Sequence, residues 1–187
     1  MPSELATRGF DVQLFFYNPN IHPYREFKLR LREVERLAEI DSLRLYSDPL
    51  YRMPEFLREV VQKEFNRCQI CYNLRQTRTA AKAAELGYEW FSTTLLQSPY
   101  QNQEALIKAG DEAALRYGVK FLAEDFTPWF KPGETRAREL ELYQQAYCGC
   151  IYSEWERYSP RARKQLARQL SEWDERKQAE ALEQPDK

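Results

Sequence analysis

Net charge, long apolar runs and glycine-rich turns are all scarce in this sequence, and each scarcity removes a class of function. The chain has 28 lysines and arginines against 29 aspartates and glutamates, a formal net charge of −1, so it exerts no overall pull on nucleic acid. Any RNA contact must therefore use a local patch. No stretch approaches the roughly 18 apolar residues a membrane span needs. The start, Met-Pro-Ser-Glu-Leu-Ala-Thr-Arg, has no basic head followed by an apolar run, and the expectation is a cytoplasmic protein with no membrane partner. Among only six glycines there is no phosphate-binding loop, which argues against ATP use. Histidine occurs once, and there is no internal repeat or low-complexity linker.

What is present is globular. The 187 residues, 43% hydrophobic and 14% aromatic, suffice for one domain with a real core and are too few for two ordinary ones. The mean hydropathy of −0.76 reflects abundant charge rather than missing core residues.

Along the chain, strand-like and helix-like patterns alternate. The apolar run Val12-Gln13-Leu14-Phe15-Phe16-Tyr17 reads as a buried strand, closed by Asn18-Pro19-Asn20. Phe27, Leu31, Val34 and Leu37 recur at helical spacing from Tyr24 to Ile40, and a second strand follows at Leu43 to Tyr46. Met53-Pro54-Glu55 opens a helix whose end is expected near Cys68, and another runs from Ile70 to Leu86 with Gly87 as its stop. Trp90 to Leu96 reads as the third strand, a helix beginning at Gln101 or Asn102 ends at Tyr117-Gly118, and Val119 to Leu122 is the fourth strand. A helix after Glu134, carrying Ala137, Leu140, Leu142 and Tyr143, leads into Cys148-Gly149-Cys150, and Leu166, Leu170 and Trp173 mark a terminal helix. The alternation predicts an α/β fold: a mostly parallel sheet of about four strands flanked by helices, with a helical C-terminal part. Residues 1–173 form the single domain in this reading and residues 174–187 a charged tail. Ligands of such a sheet gather at the carboxyl ends of the strands, here the loops 18–23, 97–101 and 124–132.

Four cysteines in a cytosolic chain of this size point to metal or redox chemistry rather than structural staples. Cys68-Gln69-Ile70-Cys71 places two thiols within one turn, able to share a metal, and Arg67, Arg75 and Arg78 are expected to lower their pKa values. In Cys148-Gly149-Cys150 the glycine lets the backbone turn so that the thiols ligate one metal or close a strained, easily reduced disulfide. A pair of incidental core cysteines is the plainer reading of the first, a small buried turn that of the second, and a four-cysteine zinc site that of both together. His22 is a candidate ligand or proton donor and equally a loop hydrogen-bonding residue. Asp125 and Glu124 end the fourth strand, as candidate acids or as solvated carboxylates. Arginines along the helices, Arg30, Arg75 and Arg78 among them, alternate with Tyr24, Tyr72, Tyr143 and Tyr147; some could grip phosphates and stack bases, though helix faces are usually only solvated.

Several segments resemble one family in order: Phe16-Tyr17-Asn18-Pro19-Asn20-Ile21-His22-Pro23, Cys68-x-x-Cys71-Tyr72-x-Leu74-Arg75, Thr93-Thr94-Leu95-Leu96-x-Ser98-Pro99-Tyr100-Gln101-Asn102, Glu124-Asp125-Phe126, and Leu142-Tyr143-x-Gln145-x-Tyr147-Cys148-Gly149-Cys150. The chain is similar to the QueH-type epoxyqueuosine reductases up to about Tyr158. The resemblance implies a nucleotide-hydrolase-like α/β fold and reduction of the epoxide of epoxyqueuosine to the alkene of queuosine, the last step of queuosine biosynthesis. The substrate it implies is the wobble position of tRNAs for aspartate, asparagine, histidine and tyrosine, with an electron donor it does not identify. It further implies that Cys68 and Cys71 ligate a 4Fe-4S cluster. Cys148 and Cys150 are then either a redox-active pair or ligands of an additional mononuclear iron. His22 and Asp125 are the candidate proton donors. Family members carry upstream a strand ending in His-x-Cys-Cys-Ala-Pro that supplies further cluster ligands. No cysteine precedes Cys68 here, and the expectation is a sheet lacking that first strand, with unpaired ladder edges. The competing readings are a zinc-stabilised RNA-binding module and a thiol-disulfide oxidoreductase.

Overall fold

The structure, a computed structural model, describes residues 2–159 and nine residues between 161 and 176. The terminal-helix positions Leu166, Leu170 and Trp173 lie outside the described residues, as does the tail 174–187 apart from positions 175 and 176.

The chain begins with a short helix not foreseen from its pattern, α1 (Pro2–Thr7), whose Leu5 is buried against Tyr72, Leu96 and Leu106. Strand β1 (Leu14–Phe16) pairs in parallel with β2 (Leu45–Ser47) across the crossover helix α2 (Tyr24–Ile40). Helix α2 spans the predicted residues because Phe27, Leu31, Val34 and Ala38 fall on one face, and this face packs on Phe16 and Ile21. A fully buried side chain such as Phe27 contributes about 1.5–3 kcal/mol of transfer free energy.

Helix α3 (Met53–Val60) ends earlier than its apolar pattern suggests, and α4 (Arg67–Glu85) begins earlier, so Cys68 lies in the first turn of α4 rather than beyond α3. Strand β3 is confined to Trp90–Phe91, because the Thr93 hydroxyl accepts a hydrogen bond from the Leu95 amide and turns the next residues into a 3-10 helix, Thr94–Gln97. The Asn102 side chain caps α5 (Gln103–Tyr117) by accepting from the Ala105 amide at 3.0 Å, as the sequence predicts. Strand β4 (Lys120–Phe121) then pairs in parallel with β3. Helices α4 and α5 meet through Ala80 and Ala83 on one and Ala113 and Ala114 on the other, small residues that let the backbones approach over Phe91.

A 3-10 turn, Thr127–Trp129, leads into α6 (Phe130–Glu139), which tolerates Pro132 in its first turn and stops before Leu142 and Tyr143, short of the predicted extent. The cysteine turn follows, and α7 (Ile151–Tyr158) begins directly after it. The α/β class with parallel pairing is as the sequence predicts. The four strands are divided between two ladders, β1-β2 and β3-β4, rather than joined in one. Each strand therefore leaves one edge unpaired among the described residues.

Candidate active site

Two arginines bring the two cysteine pairs together. The Cys68 and Cys71 positions, three apart in the first turn of α4, share one face of the helix. Beside them Arg67 donates to the Glu64 carbonyl at 2.7 Å, pairs with Glu156 of α7 at 2.6 Å and lies 5.5 Å from the centroid of the Tyr152 ring. This ties α7 to the start of α4. Cys150, the residue before α7, is thereby buried against Phe56 and Val60 of α3, where Ile70, Cys71 and Leu74 also pack. All four cysteines are free, with Cys68 and Cys148 exposed and Cys150 buried.

Arg30 of α2 holds the other side of the turn. It is only 7% exposed, and its Nε donates to Glu26 Oε1 at 2.7 Å. Its Nη1 and Nη2 donate to the carbonyls of Cys148 (3.0 Å) and Tyr147 (3.1 Å), while the guanidinium stacks over the Tyr147 ring at 5.4 Å. The loop after β1 completes the hold. Asn20 Nδ2 donates to the Cys148 carbonyl at 3.3 Å, the His22 amide to the Gly149 carbonyl at 2.8 Å, and the Tyr147 hydroxyl to the His22 carbonyl at 2.9 Å. Gly149 has φ +108°, and a Cβ there would come within 2.8 Å of Ile21 Cγ1 and 3.0 Å of Arg30 Nη1.

Burial dominates the electrostatics. Desolvation pushes the Cys71 thiol up to about 12 against the opposing pull of Arg75, and the charges of Cys148, Cys150 and Cys68 raise it further. Cys150 is pushed up to about 11 by burial and then by Cys148. Cys68 is raised by desolvation despite the neighbouring Arg67. The expectation that nearby arginines would lower these pKa values is thus overturned, because the loss of water outweighs them. Cys71 and Cys150, one from each pair, pack in the same apolar cluster, which brings the two pairs near one another. Tyr72, next to Cys71, is itself pushed up to about 12 by burial, and Cys68 adds to the effect.

The other predicted site residues fall differently. His22 is brought to the turn by its backbone, while its ring Nδ1 is bonded to the Tyr51 hydroxyl at 2.8 Å. Asp125 accepts from the Thr127 amide at 2.9 Å and from the Thr127 hydroxyl at 2.6 Å, bonds that hold its carboxyl below the usual range and shape the turn into α6. No hydrogen bond among the described residues joins Asp125 to a cysteine. Glu124 pairs instead with Arg8 at 2.6 Å. The three loops expected at the strand ends are linked in turn. Loop 18–23 holds the cysteine turn, Gln101 accepts from the Tyr72 hydroxyl at 2.9 Å, and Gln97 donates to the Trp129 carbonyl at 2.7 Å. Spacing does not single out Glu26 or Glu156, marks Asn20 as a turn residue and a candidate substrate contact, and presents Arg30, Tyr147 and Arg67 only among many arginines and tyrosines or as a neighbour of Cys68. Their signals are a buried charge and a turn amide, which only tertiary contact reveals.

Two thiols on an apolar floor, Cys71 and Cys150, each with an exposed pair-mate, Cys68 and Cys148, are a donor set for soft metals and clusters, or for thiol redox chemistry. Among the described residues no group of three or more histidine, cysteine, aspartate or glutamate side chains is disposed to hold a single metal ion.

A family model described as epoxyqueuosine reductase QueH matches residues 1–156. The epoxyqueuosine reductase QueH of Dehalococcoides mccartyi is 38% identical over 151 residues, covering 81% of this chain and 83% of that protein. The protein of the same name from Thermotoga maritima is 35% identical over 162 residues, 79% of this chain and 81% of the relative. That from Helicobacter pylori is 38% identical over 190 residues, 89% of this chain and 51% of a longer protein.

Proposed function

Because this chain belongs to the QueH family of epoxyqueuosine reductases, we propose that it reduces the epoxide of epoxyqueuosine in tRNA to the alkene of queuosine, with Cys68, Cys71, Cys148 and Cys150 holding a 4Fe-4S cluster. The enzyme is an oxidoreductase by family. The reaction removes one oxygen from the substrate, consuming two electrons and two protons and releasing water. The observation that carries the reading is the packing of one cysteine from each pair, Cys71 and Cys150, on one apolar floor, with Arg30 and Arg67 holding the elements that carry them.

The donor set suits a cluster better than a single ion. A tetrahedral zinc site with bonds of about 2.3 Å requires four sulfurs within about 3.8 Å of one another, and these side chains are not so disposed. A cluster takes its thiolates on separate irons, so its ligand sulfurs stand farther apart. Bound there, such a cluster supplies electron transfer to the carbon–oxygen bond being cleaved. Were the cluster to take only Cys68 and Cys71 from this chain, Cys148 and Cys150 would instead form a redox-active pair or hold a mononuclear iron beside it.

The chain's own groups supply the rest. Cys71 and Cys150 anchor the site in the apolar floor, and the exposed Cys68 and Cys148 mark the side open to a tRNA loop. The departing oxygen needs a proton. His22 is the better candidate donor, because its backbone is bonded to the cysteine turn and its ring to Tyr51. Asp125, whose carboxyl the bonds from Thr127 hold below its usual range, is ill suited to give one and fits a role in shaping its loop. The tRNAs are those for aspartate, asparagine, histidine and tyrosine, and the setting is the cytoplasm. No described helix is long and apolar enough to cross a membrane.

Metal analysis after anaerobic reconstitution tests the reading. About four irons and four sulfides per chain, with broad absorption near roughly 400 nm, are expected. Retention of zinc without iron would replace the reductase with a zinc-stabilised RNA-binding module. Metal-free protein with thiol-disulfide turnover would replace it with a disulfide oxidoreductase.

A further inference from the structure

We propose that Arg30 is a positioning residue that keeps the Cys148–Gly149–Cys150 turn in its dithiol form, opposing closure of a Cys148–Cys150 disulfide. The functional meaning of this rests on the reading above, in which these thiols serve the reductase site.

A guanidinium as buried as Arg30 must have its donors matched, and three of them are: one to Glu26 and two to consecutive carbonyls of the turn. With the Gly149 carbonyl taken by the His22 amide and the Cys148 carbonyl shared with Asn20, the carbonyls of residues 147, 148 and 149 are all bonded to α2 or to the loop after β1. The backbone of the turn is therefore fixed from outside itself. In that fixed form Cys148 is exposed while Cys150 is buried against Phe56 and Val60, so the two thiols sit in different surroundings. A disulfide needs the two Cβ atoms about 3.5–4.5 Å apart with a particular S–S torsion. Any rotation of the backbone of residues 148–150 that brings the Cys148 sulfur in, or the Cys150 sulfur out, disturbs the bonds that hold the carbonyls of the turn. Those from Arg30 are charge-assisted, the stronger kind. Arg30 thus favours thiols ready to ligate over thiols joined to each other.

The equilibrium with glutathione reads this directly in the metal-free chain of residues 1–187. Closing the disulfide takes two electrons and two protons from the Cys148 and Cys150 thiols. Glutathione disulfide accepts them, its S–S bond breaks, and two glutathiones leave. The oxidised fraction is measured by acid quenching, alkylation and peptide mass mapping across a series of glutathione ratios. Arg30→Met, which keeps the stem and removes the donors, is expected to raise the equilibrium constant for oxidation at least tenfold, equivalent to about 30 mV for this two-electron couple. Arg30→Lys, which keeps the charge but not the fork, should fall between. Leu31→Ala, the next residue on the helix and buried without a bond to the turn, should lower thermal stability and leave the equilibrium constant within twofold. If Arg30→Met does not fold, Asn20→Ala and Glu26→Gln take its place, with an expected rise of about threefold. Equal constants in parent and folded Arg30→Met, or in parent and both substitutes, overturn the proposal, as does a shift in Leu31→Ala matching that of Arg30→Met. Because no tRNA enters the measurement, it stands or falls independently of queuosine formation.

Discussion

Replacing Gly149 by alanine should unfold the metal-free protein at a distinctly lower temperature and spoil the cysteine site with it. Residue 149 has φ +108°, a conformation that costs a side-chain-bearing residue about 1–3 kcal/mol. The new Cβ would also stand 2.8 Å from Ile21 Cγ1, 3.0 Å from Arg30 Nη1 and 3.3 Å from the Ile21 Cα, the last being backbone that cannot swing aside. Overpacking of this kind adds about 1–3 kcal/mol. The sum, about 2–6 kcal/mol, corresponds in a chain of this length to a fall of about 4–24 °C in Tm. Gly87→Ala provides the reference: φ is +77° there but nothing lies within 4 Å, so only the conformational cost of about 1–2 kcal/mol applies. Thermal unfolding followed by circular dichroism, under reducing anaerobic conditions, compares the two. A Gly149→Ala protein no less stable than Gly87→Ala would refute the close approach of the turn to Ile21 and Arg30.

Other outcomes follow from the burial of particular groups. Cys71 and Cys150 have folded-state values of about 12 and about 11 against an ordinary value of 9.0, so the unfolded chain loses their protons first as pH rises. Their contribution to stability is full below pH 9 and is lost as pH climbs to about 11–12, visible as a falling Tm in metal-free protein, and a flat profile above pH 9 would contradict it. Among the described residues the buried amide of Gln76 has no hydrogen-bond partner for its Nε2 or Oε1, so Gln76→Met should leave stability unchanged or raise it by about 1–2 kcal/mol in urea unfolding. A loss of more than 1 kcal/mol would mean that the amide is satisfied. Tyr72→Phe removes a hydroxyl that donates to Gln101 and accepts from the Asn102 amide at 3.3 Å, and should cost about 1–2 kcal/mol by the same assay, with no loss contradicting that link between loop and cysteine helix.

What was legible in the sequence was whatever local pattern determines. Helix α2 runs over its predicted residues because its apolar spacing is uninterrupted, and α5 begins at Asn102 because that side chain caps it. The start of α4 was misplaced, since Asn66 and Arg67 supply no side-chain cap and the alanine-rich pattern begins only further on. The third strand was read as too long because Thr93 and Thr94 have strand propensity, while the capping bond of Thr93 bends the chain into a 3-10 turn. Strand patterns identify strands but not their neighbours, and so the division into two ladders was not foreseen. At the site, spacing marks the cysteines as two pairs, and the packing of Cys71 with Cys150 is what the fold adds. Arg30 was one arginine among many, because its partners at the turn stand 117 and 118 positions away along the chain. The raised thiol pKa values were hidden for the same reason: arginines adjacent in sequence are visible, and the apolar floor beneath the thiols is not.

The central claim is most directly tested by incubating the anaerobically reconstituted protein with epoxyqueuosine-containing tRNA and a low-potential reductant, then digesting the RNA and quantifying its nucleosides by mass spectrometry. The account predicts that epoxyqueuosine is lost and queuosine appears mole for mole, and that Cys71→Ser abolishes both. Intact epoxyqueuosine with reconstituted, iron-bearing protein, or equal conversion by Cys71→Ser, would contradict it.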